Sequence, residues 1–284
     1  MKRILVAGAT GYLGGFVVRE FKERGHFVRA LARNTDKLKP LENSIDEIVE
    51  AEVTKPTTLE KVCDGIDVVF SSVGITKQKD GLTFQDVDYK GNKNLLVAAR
   101  KAGVKKFIYV SVFNGPDLLH LDIVKAHEDF VGELKASGID YAVIRPTGYF
   151  SDMGEFLDMA RKGRVWLIGK GENRSNPIHG SDLAAVCVDA MEGRNREINV
   201  GGPQVLTYRE VAETAFRSLG KQTRTTSVPV WIMNLAIGMT RTYNRQQGEL
   251  LAFFTTMMTS DVVAPLSGVH TLDDYFDVMG RSEK

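Results

Sequence analysis

Short apolar runs and stretches of helical period alternate along the first half of the chain. RILVAG, FVRALAR, DVVFSSVG, KFIYVSV and YAVIRPT have the length and β-branched content of strands buried on both faces. Between them, Val87 to Ala102 and Ile123 to Ala136 repeat their apolar residues at helical spacing. Gly25, Gly103 and Gly138 each follow a helical stretch and precede a strand, the position where a helix ends in a left-handed residue. Such alternation predicts an α/β fold with a doubly wound parallel sheet.

After about Pro146 the rhythm changes. VWLIG and REINVGG read as further strands, and Thr207 with Glu210 forms a capping-box signature ahead of the helix YREVAETAFRSLG. Two apolar helical segments follow, Trp231 to Thr240 and Glu249 to Met258. The division expected is a core over residues 1–150 and a smaller C-terminal lobe over 151–284, interleaved with the core by strands that rejoin its sheet. In that lobe Ile232, Leu235, Ala236 and Met239 recur at helical spacing, as do Leu250, Phe254, Met257 and Met258. Such stripes pack a helix onto its domain or wall an apolar ligand site; the methionines, and apolar Trp231, Leu251 and Phe253 off the stripes, favour a substrate wall.

Composition narrows the function classes. At 284 residues and 43% hydrophobic content there is ample core, and a formal charge of +1 gives no reason to expect nucleic acid or an anionic membrane as partner. Cys63 and Cys187 sit in apolar runs far apart, as small buried hydrophobes rather than a disulfide framework. No signal peptide opens the sequence, and the longest apolar stretch, Val228 to Met239, is too short to span a bilayer, so no transmembrane segment and a cytoplasmic location are expected.

The chemistry begins at VAGATGYLGG, where Gly8, Gly11 and Gly14 stand at three-residue spacing between the first strand and the first helix. Gly8 permits a tight turn, Gly11 lets the backbone approach a pyrophosphate, and Gly14 lets the helix pack closely. That combination predicts an NAD(P)-binding Rossmann fold, with Thr10, Tyr12 and Leu13 in the loop as further cofactor contacts. Ser72, Val73 and Gly74, ending DVVFSSVG, are candidates too. At the end of the second strand an NAD site needs an acid for the ribose hydroxyls. Arg33 stands there instead and suits a 2′-phosphate, which points to NADPH. Glu52 and Val53, near the end of the third strand, are placed to meet the adenine edge.

VAGATGYLGG, DVDYKGNKNLLVAARKAGVKKFIYVSV, YAVIRPTGYF, PIHGSDLA and INVGGPQVLTYREVA together resemble the atypical short-chain dehydrogenase/reductases, in particular the NmrA-like group. Within that group RPTGYFSDMGEFLDMARKGRVWLIGKGE through VPVWIMNLAIGM is most similar to divinyl chlorophyllide reductases and their bacterial relatives. The resemblance implies that Lys125 holds the nicotinamide ribose and that Pro146 and Thr147 line the carboxamide. In the wider superfamily a Tyr four residues before that Lys supplies a proton. Here that position is Leu121, and the similar reductases also carry an apolar residue there.

The candidate catalytic residues are therefore Lys125, Ser111 and Tyr149. Ser111, at the sheet's carboxyl edge, orients a substrate carbonyl or caps its turn. Tyr149, after RPTG, is the replacement acid by position or an aromatic packing residue. His179 and Asp182 read as structural, with Asp182 capping a helix from Leu183, and His127 shares an apolar stripe with Ile123, Phe130 and Leu134. His26 and His270 have no partner at ligand spacing, so no metal site is expected. The leading expectation is an NADPH-dependent reductase of an apolar, conjugated small molecule. The alternative is an NADP(H)-sensing regulator or assembly factor without turnover.

Overall fold

The computed structural model describes residues 1–75 and 81–281. Its first half runs β1 (Arg3–Ala7), α1 (Tyr12–Glu23), β2 (Phe27–Ala32), β3 (Glu47–Glu50), β4 (Val68–Ser71), α2 (Asn92–Lys101), β5 (Lys106–Val110), α3 (Asp122–Ala136) and β6 (Asp140–Pro146). There follow α4 (Phe150–Arg161), β7 (Val165–Ile168), β8 (Arg174–Ser175), α5 (Gly180–Asp189), β9 (Arg196–Val200), β10 (Leu206–Thr207) and α6 (Tyr208–Ser218). The remainder is β11 (Thr225–Val228), α7 (Val230–Tyr243), α8 (Arg245–Met258) and α9 (Leu272–Arg281).

Two compact units emerge. The first joins Met1–Arg145 to Leu183–Ile198; the second joins Pro146–Asp182 to Asn199–Lys284. In the first, a seven-stranded sheet takes the order β3-β2-β1-β4-β5-β6-β9, with every assigned pair from β3 to β6 parallel. This is the doubly wound Rossmann arrangement, whose strand order reverses direction between β1 and β4. The alternating faces of β5 show why the apolar runs are continuous: Lys106 through Val110 are all buried, Phe107 and Tyr109 packing with Phe130 and Leu134 of α3. Gly25, Gly103 and Gly138 adopt positive φ after their helices, as expected.

One helical expectation differs in detail. Val87 to Ala102 is not uniform: Gln85–Gly91 winds in wider π-type turns, and α2 begins only at Asn92. Asp88 within the widened turn and Asn92 just after it are both fully buried polar side chains.

The second unit has its own core, formed by Phe156 and Leu157 of α4, Val165 and Leu167 of β7, Val211, Ala215 and Phe216 of α6, and Phe276 of α9. The Thr207–Glu210 capping box forms: Glu210 N–H donates to Thr207 Oγ1 at 3.1 Å, and Thr207 N–H to Glu210 Oε2 at 2.7 Å. β7 pairs in parallel with β11, and β8 antiparallel with β10.

The apolar stripe expected on α7 is not packed into that core. Leu235 and Met239 are 59% and 58% exposed and Ile232 39%, while within the helix only Ile237 is buried. The helix lies on α8 and buries little else, so its remaining apolar side chains face outward. No helix among the described residues is long and apolar enough to cross a membrane.

Candidate functional site

The glycine turn carries the clearest geometry. Gly8 sits at φ +89°, and a Cβ there would stand 2.7 Å from Ser72 Oγ. Gly11 N–H donates to Gly8 O at 2.9 Å, closing the turn. A Cβ on Gly14 would lie 2.0 Å from Gly8 O, a collision with backbone that no side-chain movement relieves. Gly11 also forms the N-cap of α1, and no side chain caps that end. The positive end of the helix dipole thus faces the turn with no cap from the N-cap side chain. Thr10 and Gly11 are exposed and Tyr12 half-buried, whereas Leu13 is buried beneath the turn. These features fit a dinucleotide pyrophosphate laid against the backbone at the point where the sheet's strand order reverses.

Arg33 is exposed directly after β2. Glu52 is paired with Lys55 at 2.7 Å and accepts from Thr54 Oγ1 at 2.8 Å. Those bonds, aided by the charges of Lys55 and Arg33, outweigh partial burial and hold its carboxyl below the usual range. Val53 turns its side chain into the core, and its carbonyl oxygen accepts from Asn94 at 3.0 Å. Ser72 N–H donates to Ala7 O, which ties the end of β4 to the glycine turn. Val73 rests on the core, and Asn92 Nδ2 donates to its carbonyl at 3.1 Å. Gly74 leaves no room for a Cβ, which would lie 2.8 Å from Asp88 Oδ1.

Lys125 extends from the first turn of α3, half-exposed, with Nζ 2.8 Å from both carboxylate oxygens of Asp129. Leu121 forms the N-cap of that helix and is buried, an apolar side chain one turn before Lys125. The Ser111 hydroxyl donates to Glu128 Oε1 at 2.8 Å and accepts from Arg145 Nη1 at 3.3 Å.

That bond belongs to a buried ionic network which sequence reasoning missed. Arg145, 4% exposed, donates to both carboxylate oxygens of Glu128, at 2.5 and 2.8 Å, to Glu197 at 2.9 Å and to Val112 O at 3.1 Å. Burial pulls its pKa down, but the bonds and charges of Glu128 and Glu197 outweigh this and hold it above its ordinary value. The available signal was a lone Arg near the end of a strand whose other buried residues are apolar. The two acids that answer it come from two other elements, at no readable spacing.

A second buried cluster joins Asp88, His127 and Tyr109. His127 lies on the inward face of α3 as expected, but with both ring nitrogens engaged: Nε2 3.2 Å from Asp88 Oδ1 and Nδ1 2.6 Å from Tyr109 Oη. Asp88 also accepts from Ile75 N–H, and its burial raises the carboxyl pKa despite the histidine beside it.

The second unit holds the other candidates. Pro146 and Thr147 are buried, with Thr147 Oγ1 donating to Asn176 O at 2.6 Å. Tyr149 is the N-cap of α4, and its N–H donates to Asp152 Oδ2 at 3.3 Å. The expectation for Asp182 needs correcting. Its helix starts earlier, at Gly180, and its carboxylate accepts from Val269 N–H, His270 N–H and His270 Nδ1. Gly268, at φ +81°, brings that turn of backbone over the carboxylate, so Asp182 binds a distant loop instead of its own helix. His179 stacks on His270 at 4.4 Å between ring centroids; burial and the neighbouring imidazole lower its pKa. Among the described residues no group of three or more His, Cys, Asp or Glu side chains is arranged to hold a metal ion.

Comparison with known proteins agrees with this geometry. The chain is 33% identical over 258 residues to the chloroplastic divinyl chlorophyllide a 8-vinyl-reductase of Cucumis sativus, a match covering 83% of this chain and 61% of that protein. The chain thus spans less than two thirds of that relative's length. It is 29% identical to the photosystem II assembly factor Ycf39 of Synechocystis sp., covering 88% of this chain and 78% of that one. Among solved structures, Citrobacter sp. triphenylmethane reductase complexed with NADP(H) superposes with a TM-score of 0.73 over 98% of this chain and 99% of its own, and at 18% identity shows the shared fold. A family described as NAD(P)H-binding matches residues 8–194, most of the chain and all of the glycine turn, and to that family the protein belongs.

Proposed function

We propose that this protein is an NADPH-dependent reductase that transfers hydride to an apolar, conjugated small molecule. The observation that carries the reading is the glycine turn under an uncapped helix end, followed by Arg33 where an NAD-specific site needs an acid. When bound, NADPH supplies the hydride. The α1 amides hold the pyrophosphate, Arg33 the 2′-phosphate, Glu52 and the Val53 backbone the adenine edge, and Lys125 the nicotinamide ribose. With Leu121 in place of an acid, rate enhancement rests mainly on positioning. The proton comes from the Tyr149 phenol or from water. The bonds of Ser111 to Glu128 and Arg145 favour its role as a turn-holding residue over carbonyl polarisation. The half-buried apolar side chains of α8, Leu250, Leu251, Phe253 and Met257, supply an apolar surface for the substrate.

The names of the relatives support the substrate class: one reduces a vinyl group on a chlorophyllide, and a shared-fold neighbour reduces triphenylmethane dyes. The test is loss of the reduced-nicotinamide absorbance band with NADPH and, in turn, a divinyl tetrapyrrole, an aromatic enone and a triphenylmethane dye. Substrate-dependent oxidation that disappears in Gly14→Ala supports the reading. NADPH binding with no turnover on any of them would favour an assembly or sensing role, the reading that the Synechocystis relative supports.

A further inference from the structure

A doubly wound sheet binds its ligand beyond the carboxyl ends of the strands where its order reverses, here β1 and β4. The glycine turn forms one wall of that crevice, and the segment leaving β4, residues 72–75, forms the other. The two walls touch: a Cβ on Gly8 would meet Ser72 Oγ at 2.7 Å. Backbone contacts hold the first wall in shape, whereas buried side chains hold the second. Val73 N–H donates to Ser71 Oγ at 3.3 Å, and the Val73 carbonyl accepts from Asn92 Nδ2 at 3.1 Å. Ile75 N–H donates to Asp88 Oδ1 at 3.2 Å. Ser71, Asp88 and Asn92 are all fully buried.

Asp88 is the costly member of this set. A neutral side chain would fill its place without the penalty of an enclosed carboxylate, and burial does raise its pKa. What the carboxylate supplies is reach in two directions. Both its oxygens accept from Ile75, while Oδ1 stands 3.2 Å from Nε2 of His127 on α3, whose other ring nitrogen is engaged by Tyr109 of β5. Gly74 lies against both partners: a Cβ there would stand 2.8 Å from Asp88 Oδ1 and 3.7 Å from His127 Cε1. The π-type turn that carries Asp88 also meets the segment after β3, since a Cβ on Gly91 would strike Val53 Cγ2 at 2.8 Å. One wide turn, of a kind that often marks functional sites, thus fixes the chain after β3 and after β4 against the helix that carries Lys125.

We propose that Asp88, held by His127, is a positioning residue for the cofactor: by fixing the Ile75 amide it keeps the second wall of the crevice in the shape that receives the dinucleotide. The proposal rests on the cofactor reading above, and not on turnover or on the substrate. It gives a role to a buried pair that hydride transfer itself does not touch.

The test uses the full chain and the variants Asp88→Ala, Asp88→Asn and Val131→Ala. Val131 is an apolar core residue on the same helix as His127, so its truncation costs stability without removing a hydrogen bond. Below the melting range of every variant, NADPH affinity is measured by calorimetry and exchange of the Ile75 amide proton by NMR without cofactor. Asp88→Ala should weaken NADPH binding by about tenfold and open the Ile75 amide to exchange. In Asp88→Asn the amide oxygen can accept from Ile75 while Nδ2 donates to His127, and both properties should return. Val131→Ala should leave both near wild type. If Asp88→Ala does not fold, Gly74→Ala presses on the same contact from the other side, and is expected to weaken binding and free the Ile75 amide. Affinity in Asp88→Ala or Gly74→Ala equal to that of Val131→Ala overturns the proposal, as does an equal loss in Asp88→Ala and Asp88→Asn. An Ile75 amide that exchanges freely in wild type overturns it too. The expected pattern without turnover of any substrate upholds the proposal and removes the reductase reading; a wild type that binds no NADPH removes both.

Discussion

Nε2 of His127 stands 3.2 Å from Oδ1 of Asp88, a carboxylate with no exposure to solvent. A buried acid left without its partner is costly, so His127→Ala should destabilise the fold by about 3 kcal/mol in denaturant titration. Asp88→Asn, which removes the charge as well, should cost less. The two substitutions should be non-additive, as befits one interaction.

The same pair sets a pH slope. Burial raises the Asp88 pKa above its unfolded value. The folded state therefore binds the proton more tightly, and this stabilisation is full below the unfolded pKa of about 3.9 and lost as pH rises through the folded value. Denaturation midpoints measured across that range should fall less steeply in Asp88→Asn than in wild type. Parallel slopes would mean that Asp88 does not set them.

Arg33→Ala should weaken NADPH binding by about tenfold, at the low end for a charge-assisted contact because the side chain is exposed, and leave NADH nearly unchanged. Calorimetric titration of both cofactors into both proteins reads this directly. Equal affinities in wild type would remove the 2′-phosphate role.

Lys125→Ala tests position against stability. Its pairing with Asp129 is an exposed i,i+4 contact worth about 0.3–0.5 kcal/mol, so melting should scarcely move. Loss of NADPH affinity with an unchanged melting temperature is expected. If neither changes, the lysine is a surface charge.

Gly14→Ala forces a methyl against Gly8 O at 2.0 Å and should destabilise by about 1–3 kcal/mol while abolishing cofactor binding. Gly132→Ala, in α3 with nothing within 4 Å of the added carbon, is the matched control and should be neutral or stabilising.

The backbone of the first unit could be read from sequence because its signals are local. Apolar runs mark strands buried on both faces, and three glycines mark a turn whose geometry admits nothing else at Gly14. What could not be read depends on encounters between distant residues. Arg145 announces itself within an apolar strand, but Glu128 and Glu197 answer from a helix and from a strand far along the chain. Asp182 looks like a helix cap by position; its true partners lie near residue 270, where Gly268 bends the backbone back. The α7 stripe turns on the same distinction. Periodicity reports that a helix has an apolar face, and only packing reports whether anything covers it.

β9 takes its place at the sheet edge beside β6, although residues 147–195 separate them in the chain. During vectorial synthesis, the ribosome delivers six strands of that sheet before most of the second unit exists. β6 must then wait, with one side unpaired, until Arg196–Val200 leaves the exit tunnel. Stalling translation after β6 has left the tunnel and before Val200 has would strand a nascent sheet with an open edge, the kind of edge that recruits chaperones or another nascent chain. Messenger codons between those positions thus bear on solubility, even at residues that contribute nothing to the finished sheet.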